Sequence, residues 1–527
     1  MARPKGAYYL YPSAFVPMLF PTVDYLLFLM LVVGVHWAMP ARHRLWVLGG
    51  ASVVFYASWN LAYLPLLLGV TAVAWVAGVV LSKRTAQRKL QAKGLERRAI
   101  GDKGIQVDSA TLERPSESQA TDKLSGGALL CALFLPLFVF KYWDWTIENL
   151  TTVFGWLGLE LEVISFRQDL GWLLPVGISF FTFQAVAYVV DVWRSGESER
   201  SFFRFFTFLA FFPQLIAGPI VRRKELLPQL KRPPLLESGA VSEALWRITK
   251  GMLKKLLIAD VIRASMVDSV FQDPLSYTGL ELWVALYAYT IQIYYDFSAY
   301  TDIAIGSALL FGIRLPENFR RPYQSTTVAE FWRRWHITLS NWVRDYIYYP
   351  LGGARTDKTW KVYRNIILTM VVIGIWHGAS WNFVIYGCLH GSAVSLNRFF
   401  RQRHGRRPGE PLPGMWAWAW RFFLTFNFIV WARVLFGTAN LVDARDFLRG
   451  MLDLNLTLAD VRFPPEAWAV LVLAYAWHFT PQHWTQRLGS VFRQAPPAAQ
   501  AAVAALIGVA CWKLTDGQQL SFVYYQF

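Results

Sequence analysis

Residues 61–81 read LAYLPLLLGVTAVAWVAGVVL without one charge, and the stretch that follows brings Lys83, Arg84, Arg88, Lys89, Lys93, Arg97 and Arg98 against Glu96 alone. About 20 apolar residues in a helix cross the roughly 30 Å of bilayer hydrocarbon. A basic segment directly after such a block marks its cytoplasmic end. These two neighbours decide the fold class, an all-α polytopic integral membrane protein. Apolar blocks at 22–39 and 45–59 precede them. Counting back three spans puts the N-terminus outside, Arg42 and Arg44 inside and the uncharged Trp59-Asn60 turn outside; only Arg3 and Lys5 disagree.

Composition points the same way. A 527-residue chain with 55% hydrophobic and 17% charged residues is not a string of soluble domains. Its apolar blocks are too long for the ten-residue alternating strands of a membrane barrel, which leaves the helix as the spanning structure. The net charge of +17 sits in short polar stretches between apolar blocks rather than in a soluble domain, so no nucleic-acid partner is expected. Cys131, Cys388 and Cys511 lie inside apolar segments at uneven spacing, which gives neither a disulfide framework nor a zinc site. No HExxH, glycine-rich phosphate loop, GxSxG or CxxC occurs, and no metal is expected.

Further along, 126–143 returns outward, Asp144, Glu148, Glu160 and Glu162 suit the outer face, and 171–193 comes back in. The block 202–220 holds Pro213, Gly218 and Pro219, with Arg200 and Arg204 on one flank and Arg222, Arg223 and Lys224 on the other. A simple span would put one cluster outside, so a re-entrant or surface-lying segment is expected. The stretch 318–364 reads likewise, too charged for lipid and too aromatic for a loop. Later blocks at 280–299, 366–381, 382–396, 416–436, 467–479 and 499–514 bring the count to about eleven or twelve spans. The expected division is an N-terminal extension, 1–21, and one transmembrane domain, 22–527, interrupted by a polar insertion at 82–125 whose composition favours disorder.

Ionisable residues inside a membrane are costly, so each calls for a reason. His377, in Gly374-Ile375-Trp376-His377-Gly378, ends an apolar block with no carboxylate within ten residues in sequence. Buried without a charged partner, an imidazole stays neutral, the state a general base needs to take a hydroxyl proton. The alternative is a histidine that only hydrogen-bonds a neighbouring helix. A second constellation runs from Glu330 through Phe331-Trp332-Arg333-Arg334-Trp335-His336 to Ser340, then Arg344-Asp345-Tyr346. Read as one helix, Trp332, His336 and Ser340 share a stripe and Glu330 pairs with Arg334. Arg333, Arg334 and Arg344 would suit a phosphate-rich donor such as coenzyme A or phosphopantetheine; an interfacial amphipathic helix is the alternative.

The third feature, Gln292 to Asp302, ends an apolar span with Asp296 and Asp302 on different helix faces. Asp296 reads as orienting another helix through a buried hydrogen bond or ion pair, with direct chemistry as the alternative. His390 reads as structural. His36, His43, His404, His478 and His483 carry no recognisable spacing.

Taken in order, Tyr295-Asp296-Phe297-Ser298, Asn318-Phe319, Phe331 to His336, Tyr349-Pro350-Leu351-Gly352-Gly353 and Trp376-His377-Gly378 resemble the membrane-bound O-acyltransferase family, in its bacterial alginate O-acetyltransferase-like branch. The resemblance runs from about Met18 to Tyr524-Tyr525-Gln526-Phe527; Met1 to Pro17 precede its usual start, so Met18 reads as an alternative initiator. It implies that His377 is the catalytic histidine and His336 the second signature histidine. It also implies a ring of helices around a central tunnel joining the two faces of a bacterial inner membrane. Arg333, Arg334, Trp376, Asp296 and Asn318 are the expected substrate contacts. The donor would be acetyl-coenzyme A or another acyl thioester, with no tightly bound cofactor. The expected partners are membrane lipid, a periplasmic acetyltransferase and the exopolysaccharide machinery. The implied activity is O-acetylation of an exported polysaccharide such as alginate. D-alanyl transfer toward teichoic acid, a transporter or flippase without covalent chemistry, and a scaffold are the alternatives.

Overall fold

The uncharged block that decides the fold class forms a helix, Leu64–Gly101, which satisfies its backbone hydrogen bonds internally as hydrocarbon demands. The helix continues beyond the apolar block, through the basic residues to Gly101. A computed structural model describes residues 18, 20–101, 117–159, 165, 173–232, 235–405, 414–453 and 461–514. The disorder expected of the insertion therefore falls partly on 102–116, outside the described residues, as do 1–17 and the C-terminal Tyr-Tyr-Gln-Phe. Helices and no strands are formed among the described residues.

Among the described residues three helices are long and apolar enough to cross a membrane, Leu61–Gln87, Gly126–Trp156 and Gly414–Gly437, and Val23–Ala38 and Pro497–Ala510 are shorter apolar ones. No more than 39% of the apolar window of any of the three is buried, which makes them an outer wall with faces left for lipid. Within it stands Gly279–Leu309, almost wholly buried and started by a Thr278–Glu281 capping box. This helix buries Gln292, Asp296, Ser298, Thr301 and Asp302. Protein rather than lipid surrounds those groups, so the helix can carry them within and beyond the apolar block 280–299 seen in the sequence.

The block 202–220 is re-entrant. Helix Phe202–Ala210 breaks at Phe211, and Phe212–Leu215 follows it with Pro213 in its first turn. Both basic flanks reach the same loop: Arg204 pairs with Glu199 at 2.9 Å, and Arg223 donates to the Glu197 carbonyl at 2.8 Å and to Ser195 Oγ at 2.7 Å. Ser82, at the head of the basic stretch, donates to the Gly196 carbonyl at 2.6 Å. The segment thus enters and leaves at the basic end of the molecule.

The expected blocks 366–381 and 382–396 form a helical hairpin, but its turn lies earlier. The first helix is Thr359–His377, and the second, Trp381–Arg403, starts after Ser380, whose side chain accepts from the Asn382 amide. Gly387 lets the two helices touch: a Cβ there would fall 2.6 Å from the Met370 carbonyl oxygen. At 1.5 Å per residue the first helix is about 28 Å long, close to the hydrocarbon thickness.

Candidate active site

His377 is the last residue of its helix and is buried. Gly378 follows in extended backbone and turns the chain back. Aromatic rings surround the imidazole, with centroids at 4.9 Å for Phe436, 5.0 Å for Trp376, 6.2 Å for Phe383 and 6.3 Å for Tyr386. Lys141 and Arg433 are cations near enough for their charge to act on it.

His336 does not lie on the single helix expected from the sequence. Helix Val328–Arg334 ends, His336 takes left-handed backbone with φ 41°, and helix Ile337–Val343 begins after it. The predicted stripe of Trp332, His336 and Ser340 therefore does not form. Asn318 causes the break: its backbone carbonyl accepts from the Ile337 amide at 2.9 Å, and its side-chain oxygen accepts from the Thr338 amide at 3.2 Å and the Thr338 hydroxyl at 2.9 Å. That side-chain oxygen also lies 3.1 Å from His336 Nδ1. An amide oxygen cannot donate, so Nδ1 carries a proton and donates to it; in the neutral form of the ring Nε2 then presents its lone pair. Trp376 separates the two histidines, with centroids 5.7 Å from His336 and 5.0 Å from His377.

On the basic side of these rings lies a cavity of about 1220 Å³ with eleven Lys and Arg residues and three carboxylates in its lining. Arg333 and Arg334 line it. Arg334 is held by Glu330 at 2.6 Å, the predicted pair. Arg401 lies close enough to Arg398 and Arg333 to feel their charge, and none of the three has a carboxylate partner among the described residues. Such a cluster is an anion site for a planar, bidentate donor. At the rim, burial opposes ionisation of Asp345, but hydrogen bonds from Arg344 and Arg222 outweigh it and hold the carboxyl below its ordinary range.

The lining includes Ile373, one turn before His377, but neither histidine. Buried rings, chiefly Trp376, Phe180 and Phe297, pack against His336. Asp296 is not in the cavity lining. It pairs with Lys255 at 2.7 Å, both side chains fully buried, and Lys255 also reaches Asp260 at 2.7 Å. This is the helix-orienting role read from its position. His390 accepts from Trp332 Nε1 at 3.2 Å, again a structural contact.

Sequence reading passed over two cations. Lys141 donates to the carbonyls of Trp376 and His377, and buried Arg433 lies over Trp335 at 4.6 Å and Phe436 at 5.2 Å. Lys141 is a lone charge inside its apolar block and Arg433 shares its block with Arg421 alone, a signal the sequence does contain.

Fold and site define a polytopic membrane protein with buried paired histidines above a cation-lined cavity. Residues 135–437 match the MBOAT, membrane-bound O-acyltransferase family, and the chain belongs to it. It is 36% identical over 457 residues to the probable alginate O-acetylase AlgI of Azotobacter vinelandii, covering 85% of this chain and 81% of that protein. It is 35% identical over 444 residues to the peptidoglycan O-acetyltransferase of Helicobacter pylori, covering 79% and 75%. Similarity to the teichoic acid D-alanyltransferase of Bacillus subtilis is 26% over 329 residues, covering 60% and 79%. The chain is therefore an O-acyltransferase, which sets aside the transporter and scaffold readings.

Proposed function

We propose that the chain is an O-acetyltransferase of the bacterial inner membrane that takes an acetyl group from a cytoplasmic thioester and delivers it for O-acetylation of an exported polysaccharide such as alginate. The observation that carries this is the cation-lined cavity ending one helical turn from His377. Arg333, Arg398 and Arg401 bind the donor's phosphates, on coenzyme A or on a carrier's phosphopantetheine. His377 takes the acceptor's hydroxyl proton as its oxygen attacks the thioester carbonyl. A C–O bond forms, the C–S bond breaks, and the imidazolium returns the proton to the leaving thiolate. General-base help of this kind contributes about 10² to 10⁴ in rate. His336, with its Nε2 lone pair, positions the acceptor, and Trp376 and its neighbouring rings part to admit the thioester. Likeness to the alginate and peptidoglycan enzymes supports an acetyl group and a polysaccharide acceptor; in this reading a periplasmic partner enzyme completes the delivery. The more distant D-alanyltransferase relatives keep D-alanyl transfer as the second reading.

The test is incubation of the purified full chain with radiolabelled acetyl-coenzyme A or acetylated carrier protein. Thiol release that depends on His377 supports the proposal; thiol release unchanged in His377→Ala overturns it.

A further inference from the structure

Lys141 is the only charged residue between Gly126 and Trp143, in a helix whose apolar window is 17% buried. A cation in such a wall would normally be excluded, because a charge facing hydrocarbon costs several kcal/mol. The backbone turns it inward. Pro136 removes an amide from the helical ladder, and Phe138–Tyr142 follows as a π-helical turn. Extra-residue turns of this kind re-aim side chains and cluster at functional sites.

Lys141 is buried, and its ammonium donates to the Trp376 carbonyl at 2.6 Å and the His377 carbonyl at 3.2 Å. Next to it, the Tyr142 hydroxyl donates to the Ile375 carbonyl at 3.1 Å. Three successive carbonyls at the end of the His377 helix are thus satisfied from one π turn. These carbonyls have no acceptor role inside their own helix, and a cation there also meets the negative end of the helix dipole.

We infer that Lys141 is a positioning residue for acyl transfer: it pins the C-terminal turn of the Thr359–His377 helix and so fixes where the imidazole sits. The inference rests on the reading of His377 as the base. Tyr142 shares the task, but only Lys141 brings a charge to carbonyls 376 and 377. A displacement of about 1 Å at a reacting group can cost 10²-fold in rate.

The test uses the full chain in lipid nanodiscs and in cells, with two readouts. In Lys141→Met, amide hydrogen exchange across 375–380 should quicken by about tenfold while the rest of the membrane domain stays within about twofold. Ester content of the exported polymer, normalised to protein in the membrane, should fall by about 10²-fold. Lys141→Arg keeps charge and donors and should recover both. Exchange or ester content unchanged in Lys141→Met overturns the inference. So does faster exchange over the whole domain that Lys141→Arg does not reverse, the mark of a merely structural residue. Full activity of His377→Ala would instead sink the catalytic reading, and the exchange data would still report whether Lys141 holds that turn.

Discussion

His336 Nδ1 lies 3.1 Å from the side-chain oxygen of Asn318, and that oxygen is what keeps a histidine at φ 41° between two short helices. A non-glycine residue held in left-handed backbone costs about 1–3 kcal/mol, so something must over-determine it. Asn318 does this through Ile337, Thr338 and the imidazole itself. Asn318→Ala should cut acyl transfer about 10–100-fold, since the ring would be free to move. Assay of ester formation per folded protein checks this, and unchanged transfer would mean the His336 geometry is irrelevant.

Arg333, Arg398 and Arg401 should govern donor affinity rather than chemistry. A hydrogen bond to a charged group is worth about 1.5–3 kcal/mol, so Arg401→Gln should raise the donor KM at least about tenfold with kcat little changed. Added salt should mimic the substitution because it screens the same attraction. Steady-state kinetics at two ionic strengths distinguishes this outcome from a loss of kcat.

The fully buried Lys255–Asp296 pair predicts a contrast between single and double substitution. Lys255→Met leaves carboxylates buried without their cation and should cost about 3–5 kcal/mol. Adding Asp296→Leu should restore much of that loss. Thermal unfolding in detergent measures both; a single variant as stable as the double one would contradict the helix-orienting role of Asp296.

Gly387→Val should separate the hairpin that carries His377. Its side chain would meet the Met370 carbonyl, which is backbone and cannot swing aside. Overpacking of this kind costs about 1–3 kcal/mol. Lower stability together with lower transfer is the expected pair of effects, read by thermal unfolding and ester assay.

Charge order along the chain made the architecture legible. Basic residues on both flanks of 202–220 required the segment to return to the same side, and the Arg204 and Arg223 contacts bear that out. The Glu330–Arg334 pair followed from i,i+4 spacing. The break at His336 did not, because its cause is Asn318, eighteen residues away, while the local pattern is that of a good helix. Lys141 was visible as a lone cation in an apolar block. Its meaning depends on carbonyls more than 200 residues distant, which no local reading supplies.

The most direct test of the account is mass spectrometry of exported polysaccharide from cells carrying the wild-type chain or His377→Ala at matched membrane levels. The account predicts that ester-linked acetyl falls by about 10²-fold or more in the variant, the contribution expected of a general base. Wild-type acetylation of the polymer by the variant would contradict it.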